Sequence, residues 1–294
     1  MTFAVTLIAS STPLSIVHLE HVEAFIEQNA LGLKGKPVWL KEHHAADIIV
    51  ENCLSMSQMK SLRALLDTDR IDVLCSSTQH RQKKLLLADM DATIVQSETL
   101  DELADKAGIK DQIVAITTRA MNGELDFHAA LIERVGLLKG LPLSALEETL
   151  FETKLCDGAK ELIRGMKNAE AKTVLVSGGF TFFTAAIAHK TGFDHHHGNV
   201  LNHDGEKLDG TVGEPILDKD AKRSYLEHYA QELKISLADT AAVGDGANDL
   251  PMLCAAGLGV GYRPKVIVEE TILNVLKYAD LTAILYAQGL NVEA

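Results

Sequence analysis

The sequence predicts an α/β protein: a doubly wound parallel sheet with a helical cap inserted after its first strand, preceded by a small ferredoxin-like α+β domain. Three observations carry this. Residues 1 to about 80 run strand-helix-strand-strand-helix-strand. Beyond residue 84, three apolar runs, Leu85 to Ala88, Thr173 to Val176 and Thr240 to Val243, alternate with helical patterns, as in a parallel sheet covered on both faces. Between the first two of these runs lies a helix-rich stretch, about 97–157, with no strand pattern. An insertion directly after a candidate active-site loop reads as a cap over the site.

In order, the strands of the first domain (1–80) are Phe3 to Ile8, Pro37 to Leu40, Ala46 to Val50 and Ile71 to Leu74, and its helices are Ile16 to Gln28 and Ser57 to Leu66. The polar stretch Ser76 to Lys84 reads as a linker, and the second domain (84–294) begins there. A helix is expected from about Phe180 to Thr191. The turn-rich segment Asp194 to Pro215, with Asp204-Gly205 and Asp209-Gly210, reads as β-hairpins. His195, His196 and His197 are expected on a solvated hairpin, because three adjacent side chains cannot all face one metal ion.

Each apolar run ends in a polar, small-residue turn: Asp89-Met90-Asp91, Ser177-Gly178-Gly179 and Gly244-Asp245-Gly246-Ala247-Asn248-Asp249. In an open α/β sheet ligands bind beyond the carboxyl ends of the strands, so the three turns would share one crevice. A strand's period of two lets Asp89 and Asp91 point the same way, and such crowded like charge needs a bound cation or a shared proton. Asp245 with Asn248 and Asp249 would gather oxygen ligands for a hard cation. Ser177 before two glycines is a candidate phosphate cradle or a plain helix cap. Lys222 sits in a charged helix start beside Lys219 and Arg223, and nothing local selects it from them.

The net charge of −13, with no Lys/Arg cluster, argues against a nucleic-acid partner. Cys53, Cys75, Cys156 and Cys254 form no C-x-x-C pair and read as small core residues of a reducing compartment. No apolar stretch reaches the roughly 18–20 residues of a membrane span. Met1 to Pro13 has no basic segment before its apolar run, so no signal peptide and a cytoplasmic location are expected.

Taken together, Asp89-Met90-Asp91-Ala92-Thr93, Ser177, a helical Lys and Gly244 to Asp249 resemble the four ordered motifs of the haloacid dehalogenase superfamily. Over residues 84 to about 285 the chain looks like that superfamily's phosphoserine phosphatases. The further matches are Glu98, Arg134 in Arg134 to Pro142, Ser177 to Phe180, and Gly244 to Leu253. Ala92 stands where many relatives have Ser.

The resemblance implies Mg²⁺-dependent hydrolysis of O-phosphoserine, with Asp89 as nucleophile and Asp91 as general acid/base. It implies Mg²⁺ held by Asp89, Asp245 and the backbone carbonyl of Asp91, with Asp249 supporting them. Ser177, Gly178, Lys222 and Asn248 would bind the phosphoryl group, Glu98 and Arg134 the amino-acid part, and Met121 and Phe127 would close over the substrate. The first domain looks like an ACT-type regulatory domain, which would bind serine or mediate dimerisation. Two rival readings remain: a phosphatase or phosphotransferase for another small phosphorylated amine or alcohol, such as phosphohomoserine, and a serine-sensing protein that keeps the fold.

Overall fold

A computed structural model describes residues 2–121 and 124–290; the side chains of Met121 and Lys219 lie outside the described residues. The chain opens with β1 (Phe3–Ala9), α1 (Ile16–Gln28), β2 (Leu33–Lys41), β3 (Ala45–Val50), α2 (Met56–Leu66) and β4 (Ile71–Ser77). All strand pairs are antiparallel and the order is β2-β3-β1-β4, the ferredoxin-like arrangement. Both helices start where sequence chemistry places a cap: Ser15 faces His18, and the Ser55 hydroxyl accepts from the Gln58 N–H. Leu19, Val22 and Ile26 of α1 and Met59, Leu62 and Leu66 of α2 form buried stripes over one sheet face.

The second half begins with β5 (Leu85–Ala88) and the four helices α3 (Thr99–Lys106), α4 (Lys110–Met121), α5 (Phe127–Gly136) and α6 (Leu143–Glu152). These form the expected cap. Its two connections cross at an antiparallel bridge between Val95 and Leu155. Then follow α7 (Ala159–Asn168), β6 (Lys172–Phe180), α8 (Thr181–Thr191), β7 (His195–Asn199), the hairpin β8 (Leu201–His203) and β9 (Leu208–Val212), and α9 (Lys219–Glu232). The chain closes with β10 (Thr240–Gly244), α10 (Leu250–Ala255), β11 (Leu258–Tyr262), α11 (Val266–Thr271), β12 (Asn274–Leu276) and α12 (Ala283–Ala287).

The second sheet is parallel throughout, in the order β12-β11-β10-β5-β6-β7. Alternate residues of its strands face opposite layers. Leu86, Ala88, Leu175 and Val243 pack with Leu162, Phe183 and Ile187, while Leu85, Leu87, Val174 and Ala242 pack with Leu226, Met252 and Val268. Each fully buried aliphatic side chain contributes about 1.5–3 kcal/mol of hydrophobic stabilisation. Among the described residues no helix is long and apolar enough to cross a membrane.

Four expectations need correction, the first being the cysteines: Cys75 and Cys156 are buried, but Cys53 and Cys254 are exposed and not core residues. His195 to His197 lie on β7, an edge strand of the parallel sheet, and not on a solvated hairpin. His196 Nδ1 pairs with the Thr184 hydroxyl at 3.0 Å, and His197 stacks on Tyr225 and meets the Tyr229 hydroxyl at 2.9 Å. Imidazoles thus take the place of the aliphatic residues that mark the other strands. The glycines after Ser177 continue β6 to Phe180, so the helix starts one residue later, at Thr181. The expected linker is docked to both halves: Arg81 pairs with Asp47 at 2.7 Å and donates to Ala287 O, and the buried Lys83 ammonium donates to the His80 and Ala238 carbonyls.

Asp72 on β4 fastens the two halves further. Its carboxylate accepts the backbone N–H groups of Lys277, Tyr278 and Ala279 at 2.7–3.0 Å, and Asn274 bonds both the N–H and the carbonyl of Cys75. Asp72→Ala should lower stability by about 3 kcal/mol, because it strips the acceptor from buried donors. A fall in thermal midpoint with faster proteolysis within residues 78–84 is the expected result; an unchanged midpoint would remove Asp72 from this role.

Candidate active site

β5 lies between β10 and β6, with Ala88 in register with both Val243 and Leu175. The three strands run parallel, so their carboxyl ends deliver Asp89, Asp245 and Ser177 to one place. They line a cavity of about 180 Å³ together with Asp91, Glu98, Phe127, Arg134, Gly178, Asn248 and Lys265. Phe127 approaches Gly178 closely: a Cβ there would lie 3.7 Å from its ring. Met121 lies outside the residues whose side chains are described.

Asp89 is buried, and the Lys222 ammonium sits 2.6 Å from its Oδ1 and 2.5 Å from Asp249 Oδ1. Lys222 reaches this position from the first turn of α9, whose start is capped by Asp218 accepting from the N–H groups of Asp220 and Ala221. The lysine is 3% exposed. Burial would lower its pKa, but Asp89 and Asp249 outweigh that and hold it above its ordinary value. Burial first, then the like charge of Asp249, pushes the Asp89 carboxyl well above the usual carboxylate range against the pull of Lys222.

Asp249 is fully buried and organises the loop that follows β10. Its Oδ2 accepts from the N–H groups of Asp245 and Gly246 at 3.1 and 3.0 Å. Gly244 is required for this, since a Cβ there would stand 2.4 Å from Asp249 Cγ. Asp89, Asp245 and Asp249 each offer a carboxylate oxygen within 4.8 Å of the others. An oxygen-only donor set beside crowded negative charge fits a hard divalent cation.

The Asp91 side chain turns away from that trio. Its Oδ1 accepts from the Thr99 N–H and hydroxyl at 2.9 and 2.8 Å, and its Oδ2 accepts from the Ser177 hydroxyl at 2.9 Å. Burial raises its pKa, with the Thr99 bonds acting the other way. Ser177 Oγ also accepts the Gly179 N–H at 2.8 Å. A Cβ on Gly179 would come within 3.0 Å of that hydroxyl and 3.1 Å of Asp91 Oδ2, so the second glycine permits the approach.

On the cap side, Arg134 donates from Nε to the Ala130 carbonyl at 3.2 Å and has no carboxylate partner among the described residues. Glu98 is the residue before α3, and its side chain makes no capping bond to the helix. It faces Lys265 instead, at 3.4 Å.

Every candidate whose side chain is described therefore belongs to one site, although Lys222 and Asp249 stand behind Asp89 and not at the cavity wall. Sequence reasoning missed Thr99 and Lys265. Thr99 was legible as the opening residue of a helix in Ser97-Glu98-Thr99-Leu100-Asp101-Glu102. Lys265 lacked a signal, because the strand that delivers it, Leu258–Tyr262, reads as the glycine-interrupted run LGVGY.

Residues 86–254 match a family described as haloacid dehalogenase-like hydrolase. The chain is 41% identical over 213 residues to a phosphoserine phosphatase of Archaeoglobus fulgidus, covering 72% of this chain and 62% of that protein's length. A HAD family hydrolase of Salmonella enterica serovar Typhi superposes with a TM-score of 0.86 at 28% identity, over 99% of this chain and 98% of that one. A probable phosphoserine phosphatase of Vibrio cholerae superposes with a TM-score of 0.79 at 30% identity, over 98% and 87%.

Proposed function

The chain belongs to the haloacid dehalogenase-like hydrolases, and on that premise we propose that it hydrolyses O-phosphoserine to serine and phosphate through a phosphorylated Asp89. The observation that carries this reading is one cavity joining the carboxylates Asp89, Asp91 and Asp245 to Arg134 and Glu98, which suit a zwitterion. The relatives named as phosphoserine phosphatases add support.

In the first step an Asp89 oxygen attacks phosphorus and the bond from phosphorus to the serine oxygen breaks. Asp91 gives its proton to that leaving oxygen; its burial, which raises the pKa, favours the protonated form. In the second step Asp91 takes a proton from water, whose oxygen attacks phosphorus and releases Asp89. Thr99 holds one Asp91 oxygen by two bonds, leaving the oxygen that meets Ser177 as the one to carry the proton.

Ser177, the Gly178 N–H and Asn248 would bind the phosphoryl oxygens, and Lys222 would balance the charge around Asp89 as the phosphoryl group arrives. Mg²⁺ would be held by Asp89, Asp245 and the Asp91 main-chain carbonyl, with Asp249 fixing the loop behind them. It would neutralise phosphoryl charge in the transition state. Phe127, beside Gly178, would cover the substrate, and Met121 is proposed beside it from the resemblance alone.

A screen of small phosphorylated metabolites with and without Mg²⁺ tests the reading, phosphoserine being the expected best substrate. Arg134→Ala should lower kcat/KM for phosphoserine by about 100-fold, the scale of losing a charged double hydrogen bond. Undiminished turnover would remove the serine assignment, and phosphohomoserine turned over in its place would give the rival substrate. Release of no phosphate together with serine binding would instead identify a sensor. For residues 1–80 we propose an ACT-like regulatory domain, supported by its sheet order and by the bonds of its Asp72 and Cys75 to the second half. Added serine in the same screen, followed by sizing in solution, tests serine binding and dimerisation. We propose a cytoplasmic location, the one expected from the scattered cysteines of the sequence.

A further inference from the structure

Two lysines meet the carboxylates of this site, and they are held differently. Lys222 is buried and clamped between Asp89 and Asp249. The Lys265 side chain is 60% exposed, and its ammonium lies 3.3 Å from Asp245 Oδ2 and 3.4 Å from Glu98 Oε1. Its main chain is pinned in place: the Lys265 N–H donates to the Asp245 carbonyl at 2.9 Å, and its own carbonyl accepts from the N–H groups of Val268 and Glu269 as α11 begins. The backbone is thus fixed at the Asp245 loop while the ammonium swings on a flexible four-carbon stem.

Its two partners are the residues that, in the proposed function, receive incoming positive charge. Asp245 is a proposed ligand of the divalent cation, and Glu98 is the proposed acceptor for the substrate's ammonium. Each arriving cation meets a carboxylate already paired to Lys265. We infer that Lys265 is an internal counter-cation of the site, a specificity-determining residue that holds Asp245 and Glu98 and is exchanged for the divalent cation at one and the substrate's ammonium at the other.

This inference rests on the proposed function for the identity of the two incoming cations. Its physical content is competition. A phosphate ester without an amino group leaves the Lys265–Glu98 pair intact and needs no exchange there. An amino-bearing ester gains Glu98 only by giving up that pair, so Lys265 tempers the preference for amines. Removing the ammonium should sharpen that preference and strengthen metal binding, opposite to the general loss expected of a residue that merely attracts the phosphate.

The test is calorimetric titration of the full-length chain with Mg²⁺ alone, comparing the parent protein with Lys265→Met and Lys265→Arg. Lys265→Met should bind Mg²⁺ about threefold or more tightly, the scale of losing a solvent-exposed competing charge. Lys265→Arg, which keeps the charge, should stay close to the parent. Binding by Lys265→Met no tighter than the parent's overturns the inference, as does Lys265→Arg behaving like Lys265→Met; matching thermal midpoints show that the fold is intact.

A second arm measures kcat/KM for phosphoserine and for 3-(phosphonooxy)propanoate, its counterpart without the amino group. The ratio should rise about threefold or more in Lys265→Met; an equal fall for both esters overturns the exchange at Glu98. Failure of the phosphoserine reading would show separately, as a parent protein that releases no phosphate from phosphoserine, while the Mg²⁺ titration still decides the exchange at Asp245.

Discussion

Asp89→Asn is expected to abolish phosphate release, lowering kcat by at least about 10⁴-fold, the scale reached when a catalytic nucleophile is removed. An amide oxygen is too weak a nucleophile to displace the serine oxygen, and the neighbouring carboxylates are engaged elsewhere, Asp245 with the Lys265 ammonium at 3.3 Å. Asp91 is turned toward Thr99 and Ser177, while Asp249 is committed to Lys222 and two backbone N–H groups. Acid quenching during turnover should trap a hydroxylamine-sensitive phospho-enzyme in the parent protein and none in the variant. The fold should survive, because the substitution removes a negative charge that burial and Asp249 already disfavour. Activity retained in Asp89→Asn would sink the two-step scheme outright.

Lys222→Met should be the most damaging single change to stability within the site. It leaves Asp89 and Asp249 facing each other in a buried place without their shared cation, and breaking a buried pair from one side costs about 3–5 kcal/mol. Turnover should fall by about 100-fold or more through lost charge stabilisation near Asp89.

The pH dependence gives this prediction a sign. In the parent, the folded pKa of Lys222 lies above its ordinary value, so the lysine's charge is fully present at neutral pH and is lost only as the solution becomes strongly alkaline. In the variant the Asp89 carboxyl, already raised, loses the cation that opposed the rise, so the folded protein binds protons more tightly than the unfolded chain does. The variant should therefore regain stability as pH falls from neutrality through the raised carboxyl range. Added Mg²⁺ should restore stability as well. Thermal midpoints at neutral and mildly acidic pH, with and without Mg²⁺, check this; a variant as stable as the parent at neutral pH would rule out the buried-pair account.

Much of this architecture was legible in the sequence because it is written in short-range pattern. The apolar stripe from Ile16 to Gln28 follows the helical period, and the four buried residues of β5 form the continuous apolar run of a strand covered on both faces. Legibility failed where composition and position disagree. β7 is built of histidines, whose rings find Thr184, Tyr225 and Tyr229, so its place in the sheet has no aliphatic signature. β11 is interrupted by Gly259 and Gly261; Gly259 leaves room for the Leu253 backbone, where a Cβ would stand 2.0 Å from its carbonyl oxygen. The segment from Ser76 to Lys84 is polar enough to pass for a free linker, yet Arg81 and Lys83 are spent on carboxylates and carbonyls of both halves.

The sequence by itself determined the strand ends and what they carry: two aspartates after β5, a serine and glycines within β6, and an acidic loop after β10. These are local facts, since a strand's period and a turn's chemistry extend over only a few residues. Only the tertiary structure decided which charges meet. Lys222, Lys219 and Arg223 are equivalent in sequence, and the packing of α9 puts Lys222 between Asp89 and Asp249, 27 residues away from the latter. The meeting of Lys265 with Glu98 spans 167 residues. Coulomb energy depends on distance through space and on exclusion of water, and neither is a property of the chain until the sheet has brought its strand ends together.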